Sequence, residues 1–234
     1  MVRASLAAKA SAARREASMR FFKTAPGDYG EGDVFIGVSV PDTRAVVKLH
    51  REVSLETMAA LLASEVHEER LAALLLMVDR FQRTKDVAVK RAVFDLYMGS
   101  LDRVNNWDLV DSSAPYIVGA WLASKNRKSL RALARSPHLW SRRVAMLASF
   151  HFIKNGEFED ALALAEILVA DPHDLMHKAV GWMLREMGGR GGRRELLGFL
   201  GPHAGHMPRT MLRYAIEKFP EAERKMWLSS PPRR

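Results

Sequence analysis

Trp107 and Asp111 stand four residues apart in Asn105-Asn106-Trp107-Asp108-Leu109-Val110-Asp111. In a helix that spacing puts an indole and a carboxylate one turn apart on the same face. An aromatic and a carboxylate too far into the helix to act as a cap thus coincide on one face. A Trp packed in a helical core and an Asp paired with an Arg meet the same spacing, and the residue types alone do not separate the two readings. The neighbours need no function: Asn106 is a good N-cap, and Asp108 falls in the first turn, where a carboxylate answers the positive end of the helix dipole. Pro115, four residues beyond Asp111, has no N–H to give, so the helix is expected to bend there.

Two later segments supply cations. Trp140-Ser141-Arg142-Arg143-Val144-Ala145-Met146-Leu147 places Arg143 on an otherwise apolar helix. In His177-Lys178-Ala179-Val180-Gly181-Trp182-Met183-Leu184-Arg185-Glu186, Trp182 has Lys178 four residues before it and Arg185 three after. Aromatic faces interleaved with cations suit a nucleic-acid backbone, with Lys or Arg on phosphate and indole against sugar. Core packing for Trp182 and solvated surface charge for Arg185 are the structural alternatives. The net charge of +9 is segregated: residues 1–124 carry 16 Lys and Arg against 16 Asp and Glu, residues 125–234 carry 20 against 11. Segregated positive charge is what a polyanion-binding surface requires.

The elements that must hold these groups read as helices. With 48% hydrophobic and 27% charged residues the 234-residue chain has the composition of an ordinary globular protein. Its longest apolar runs, such as Leu71 to Val78, fall far short of the roughly 20 residues of a membrane span, and no secretory signal is visible at the N-terminus. A cytoplasmic bacterial-type protein is the simplest fit. Absence of cysteine excludes disulfides, thiolate catalysis and Cys-type metal sites.

Residues 4–22 form an Ala-rich helix ending in Phe21 and Phe22. Lys23 to Val40 follows as the clearly non-helical stretch of the first half, expected to be a structured loop pinned by Tyr29 and Phe35. Its glycines do not make a phosphate loop, because Gly-Lys-Ser/Thr is missing and Asp28, Glu31 and Asp33 would repel phosphate. From Pro41 onward helices are expected at 41–51, 54–64, 66–83, 86–100, 106–124, 126–135, 138–154, 157–170, 174–187, 191–200, 208–218 and 220–228. Starts near 54, 86, 126, 157 and 191 recur every 31–40 residues, a spacing that matches paired-helix arrays of the HEAT type. The expected organisation is all-α: one HEAT-like domain over 1–234, with an N-terminal helix and Gly-rich loop over 1–40, repeats over 41–228 and a frayed tail over 229–234. Its concave groove would be basic. No segment alternates with period two, so no strand is expected. His203 and His206 lack a third metal ligand in register, His67-Glu68-Glu69 is not a His-Glu-x-x-His motif, and no nucleophile elbow appears.

Three segments taken together, Trp107 to Asp111, Trp140 to Leu147 and Lys178 to Glu186, resemble the core of the AlkD-type DNA alkylation-repair glycosylases of the AlkC/AlkD superfamily. The likeness runs from Phe35-Ile36-Gly37-Val38 to about residue 220. It implies a HEAT-like helical solenoid that binds duplex DNA containing alkylated bases and hydrolyses the N-glycosidic bond of cationic N3- or N7-alkylated purines, without flipping the base into a pocket. By the same match Asp111 would be the catalytic carboxylate. Trp107 and Trp182 would lie against the lesion's deoxyribose and backbone, Arg143 would contact the backbone, and Lys178 and Arg185 flank Trp182. No metal, cofactor or nucleotide is implied, and the protein is expected to be a monomer. Known members carry a lesion-covering helix ahead of the Phe-x-Gly-x segment; here the acidic, Gly-rich Thr24 to Asp33 stands in its place, as in a subgroup that lacks that helix. A non-catalytic HEAT-like module that binds DNA or protein remains the alternative, and release of a free base dependent on Asp111 separates the two.

Overall fold

The computed structural model describes residues 1–229. Of the expected frayed tail only Ser229 is described, and it ends the last helix; the remainder lies outside the described residues. The chain is an all-α helical-repeat fold. Among the described residues the β pairing consists of an isolated bridge between Val34 and Val66, and no helix is long and apolar enough to cross a membrane. Two compact units divide it, Met1–Ile117 and Val118–Arg234.

The first unit holds α1 (Val2–Ala7), α2 (Ala12–Phe21), α3 (Val40–Leu49), α4 (Leu55–Leu62), α5 (His67–Arg83), α6 (Val87–Gly99) and α7 (Trp107–Asp111). Where one helix is expected over 4–22 there are two. Ser11 takes extended backbone, its N–H pairs with the Ile36 carbonyl at 3.2 Å, and its hydroxyl caps α2. A partner distant in sequence therefore competes with helix continuation at that residue and wins. Ser39, Ser54 and Asp86 cap α3, α4 and α6 as their side-chain chemistry dictates. α5 is the central rod, packed by α1, α3, α4, α6 and α7, and its side chains are buried nearly all round, including Leu71, Leu74, Leu76 and Met77.

The helix expected over 106–124 is interrupted more severely than by a bend. α7 ends at Asp111, and the chain then runs through a π-helical turn at Pro115–Gly119 into the short α8 (Ala120–Leu122). The missing N–H of Pro115 and its ring rule out regular α-helical bonding one turn back, and the wider turn accommodates both.

The second unit continues with α9 (Lys128–Ala134), α10 (Leu139–Lys154), α11 (Glu159–Leu168), α12 (Asp174–Gly188), α13 (Arg193–His203), α14 (Arg209–Ala215) and α15 (Glu221–Ser229). α10 packs on α9, α11 and α12, and α12 packs closely on α14. The α12–α14 approach depends on Gly181, where a Cβ would stand 2.5 Å from the Met211 carbonyl oxygen. The repeat period holds: the helices expected near 54, 86, 126, 157 and 191 begin at Leu55, Val87, Lys128, Glu159 and Arg193.

Glu68, buried at the start of α5, accepts the backbone N–H groups of Ile36, Gly37 and Val38 at 3.1, 2.8 and 3.2 Å. Gly37 has φ +81°, and a Cβ there would lie 2.1 Å from the Ser11 carbonyl oxygen and 2.6 Å from the Arg15 nitrogen. Gly37→Ala is expected to lower stability by about 2–4 kcal/mol, from backbone strain and from displacement of the start of α2. Urea unfolding measures it, and an unchanged midpoint would show that this approach is not needed.

Candidate functional site

α7 is short, and its placement depends on its cap. Asn106 is fully buried with extended backbone (φ −150°, ψ 159°). Its side-chain oxygen accepts the Trp107 N–H at 2.8 Å, and its amide nitrogen donates to Asp33 Oδ2 at 3.1 Å. The cap expected from sequence is thus also a tether to the Gly-rich loop. Trp107 is half-buried. Phe22 stacks on it with centroids 5.2 Å apart and planes at 23°, and Phe21 meets it edge-on at 5.7 Å and 73°. Asp111, also half-buried, is the last residue of α7. The helix dipole opposes a carboxylate at that end, so α7 itself gives the charge no support. Behind it Tyr97 is fully buried, its hydroxyl 3.0 Å from Ser113 Oγ. Burial pushes the Tyr97 pKa up, the Ser113 hydrogen bond offsets part of this, and the negative charge of Asp111 adds to the rise.

Beneath Trp107 lies a cluster of buried charge. His67, at the first position of α5, places Nδ1 2.9 Å from Asp33 Oδ2 and Nε2 2.8 Å from Asp108 Oδ2. Arg70, one turn further, is buried and donates to the other oxygen of Asp33 and to the carbonyls of Ser64 and Glu65. The imidazole packs against two aromatic rings, 4.5 Å from Phe35 and 5.0 Å from Phe22. Burial by itself would lower the His67 pKa, but the charges and hydrogen bonds of Asp108 and Asp33 outweigh it and raise the value to about 9. Each ring nitrogen therefore carries a proton at neutral pH and donates to its carboxylate. This corrects the reading of Asp108 as a first-turn acid explained by the helix dipole alone. It corrects the loop as well: Asp33 is buried, and Glu31 accepts the Gly27 N–H at 2.9 Å, so two of the three acids are engaged within the protein. The loop is pinned as expected, by Phe35 stacked on Phe22 at 5.1 Å and by a long hydrogen bond from the Tyr29 hydroxyl to the Phe21 carbonyl at 3.5 Å.

The other candidates lie in the second unit. Arg143 is 4% exposed on α10 and donates to the Leu175 carbonyl, in the first turn of α12, at 2.7 Å. Arg142 beside it pairs with Asp171 at 2.6 Å, so α10 grips the first turn of α12 and the turn before it, each through one guanidinium group. Trp182 is half-buried, its ring 6.1 Å from Phe150. Lys178 forms an i,i+4 pair with Asp174 at 2.7 Å, and Arg185 pairs with Glu186 and Glu217. Trp107 and Asp111 belong to the first unit and these four residues to the second. His203 and His206 hydrogen-bond to one another at 3.3 Å, and His203 pairs with Glu166. Among the described residues no group of three His, Cys, Asp or Glu side chains could hold a metal.

Sequence reading missed His67, Arg70, Glu68 and Asp33. For His67 and Arg70 a signal was available: with Leu71 and Leu74 they occupy positions i, i+3, i+4 and i+7 of one stripe of α5. Ionisable groups in core register must find partners. Asp33 carries no such mark, because nothing local to a Gly-rich loop says which of its acids turns inward.

The His67 cluster sets a pH dependence. Its folded pKa of about 9 lies above the ordinary value of 6.5, so its contribution is complete below about pH 6.5 and is lost as pH rises through 9. The amount is on the order of 3 kcal/mol. Urea midpoints are expected to fall between pH 6.5 and 9 in the natural protein, with a much shallower slope in His67→Gln. Parallel slopes would mean that His67 does not bind its proton more tightly in the folded state.

The geometry can be set beside known proteins. A family model described as DNA alkylation repair enzyme matches residues 2–219. The solved structure of a "predicted DNA alkylation repair enzyme from Enterococcus faecalis" is similar with a TM-score of 0.68 and 15% identity, covering 91% of this chain and 98% of that one. At that identity the likeness is one of fold. No curated protein sequence matches significantly. Because the family model spans nearly the whole chain, from the first residue of α1 to just beyond α14, the chain belongs to the DNA alkylation repair enzyme family.

Proposed function

We propose that the protein is a DNA N-glycosylase that removes cationic N3- or N7-alkylated purines from duplex DNA. The observation that carries this reading is the pair on α7: a half-buried carboxylate, Asp111, at the unfavourable end of its helix and one turn from the half-buried, buttressed indole of Trp107. An alkylated purine is already a cation and leaves as a neutral base, taking the electrons of the C1′–N bond without protonation. The barrier is the oxocarbenium-like sugar that remains. A fixed carboxylate beside C1′ stabilises that charge and orients the attacking water, whose proton it can accept, while the indole adds cation–π attraction. One acid suffices, unlike the carboxyl pair of a glycoside hydrolase. Trp182, with Lys178 and Arg185 on either side of it in α12, is the proposed backbone contact of the second unit, joined by Arg143, whose buried guanidinium would leave the Leu175 carbonyl to reach phosphate. The ion pairs of Lys178 with Asp174 and of Arg185 with Glu217 would give way to phosphate, an exchange of one exposed anion for another that costs little, whereas the contact of Arg185 with the buried Glu186 is costlier to break.

Asp111→Asn keeps the shape and removes the charge. Single-turnover release of 7-methylguanine from methylated duplex DNA is expected to slow on the order of 100- to 1000-fold. Asp102→Asn, at an exposed acid, is the control expected to leave the rate unchanged; Asp108 cannot serve, because it holds His67. Equal rates for the two variants would remove Asp111 from the chemistry. Should the natural protein bind alkylated duplexes and release no base, it is a non-catalytic DNA-binding module.

A further inference from the structure

The backbone that leaves α7 runs short of hydrogen-bond donors just where Asp111 stands. The Ser112 N–H closes the last regular turn on the Asp108 carbonyl at 3.1 Å. The Ser113 N–H then bonds to the Val110 carbonyl at 3.1 Å, so the Leu109 carbonyl loses the donor that a continuing helix would give it. The Asp111 carbonyl would take its donor from residue 115, which is a proline and has none to give.

A side chain fills the first of these gaps. Ser113 is fully buried, and its hydroxyl donates to the Leu109 carbonyl. Leu109 and Ser113 lie two residues before and two after Asp111, so this bond closes the chain around it. With its proton committed there, the Ser113 oxygen accepts from the Tyr97 hydroxyl 3.0 Å away, which fixes the direction of the relay from Tyr97 to Ser113 to Leu109.

Packing does not require that relay. α6 buries only Val93 and Tyr97, and a phenyl ring at 97 would fill the same space with no polar group to satisfy. What the hydroxyl adds is direction, since it bonds one acceptor along one line. The negative charge of Asp111 is felt at the Tyr97 hydroxyl, where it disfavours ionisation, so the relay lies within electrostatic reach of the carboxylate. Tyr97, Leu109, Asp111 and Ser113 all belong to the first unit.

We propose that Ser113 and Tyr97 are positioning residues for Asp111: their hydroxyl relay holds the unwound end of α7, so that the carboxylate keeps its place while charge develops beside it. The proposal rests on the glycosylase reading and adds to it the two residues that fix its catalytic group from behind. Neither touches the substrate. Their influence is one of geometry, and a displacement of about 1 Å in a reacting group costs on the order of 100-fold in rate.

Single-turnover release of 7-methylguanine from methylated duplex DNA at saturating protein, with duplex affinity measured separately, tests this. Ser113→Ala is expected to slow release roughly tenfold and Tyr97→Phe about two- to fivefold, each with affinity unchanged. Tyr97→Phe keeps the ring and carries the test if Ser113→Ala does not fold. Because both variants also lose a buried hydrogen bond, a matched control is needed. Ser149→Ala removes a buried hydroxyl that donates to the Met146 carbonyl at 2.6 Å within α10, and is expected to lower the urea midpoint without slowing release. In the Asp111→Asn background neither Ser113→Ala nor Tyr97→Phe should slow release further, because both act through that carboxylate. Full rates in the folded variants, an equal loss in Ser149→Ala, or losses undiminished in Asp111→Asn would each overturn the proposal and leave the glycosylase reading standing. If the natural protein releases no base, reading and proposal fall together.

Discussion

The hydrogen bonds from the two nitrogens of His67, one to Asp33 and one to Asp108, are the constraint on which the candidate site depends. They join the Gly-rich loop, the start of α5 and the first turn of α7 through one buried cation. Burial works against the Asp33 carboxylate, but the hydrogen bond and charge of His67, together with Arg70, more than compensate and hold its pKa below the usual range. Two carboxylates and two cations thus neutralise one another out of water. Loss of any one leaves a partner buried and uncompensated, which costs more than the intact cluster contributes.

That cluster reaches the site through rings. His67 lies against Phe35 and Phe22, and Phe22 lies against Trp107. The same Asp33 that accepts from His67 also receives the amide of Asn106, which caps α7. A five-residue helix has little intrinsic stability, since most of its backbone groups are at an end. Its direction is set by these outside contacts, and with it the orientation of Trp107 and Asp111. Preorganised groups of this kind stabilise a developing charge without rearranging when it forms.

The basic second unit teaches a different lesson about charge. Residues 118–124 carry none, so the excess of +9 falls wholly within it. Many of its cations nevertheless have structural duties: Arg142 on Asp171, Arg127 on Glu157 and Asp160 with its guanidinium 3.9 Å from the Phe152 ring, Arg193 on Glu223. Net charge measures the field that draws in a polyanion. How readily each cation is freed for another anion depends on its ion pair, and exposed pairs such as Lys178 with Asp174 exchange most readily.

Sequence alone determined the succession of helices and their period, because apolar spacing and capping residues act within a few positions of one another: Ser54, Asp86 and Asn106 stop and start helices whatever lies beyond them. It also determined that Trp107 and Asp111 share a helix face, since five residues suffice to set it. Only the tertiary structure decided that the first helix breaks at Ser11, that Asp33 turns inward, that Asp108 serves His67, and that Phe21 stays exposed beside Trp107. Each of those depends on a partner 25 to 86 residues away, Ile36 for Ser11, His67 for Asp33, His67 for Asp108 and Trp107 for Phe21. Local pattern holds no record of such pairings, because the free energy that selects them comes from removing both partners from water at once.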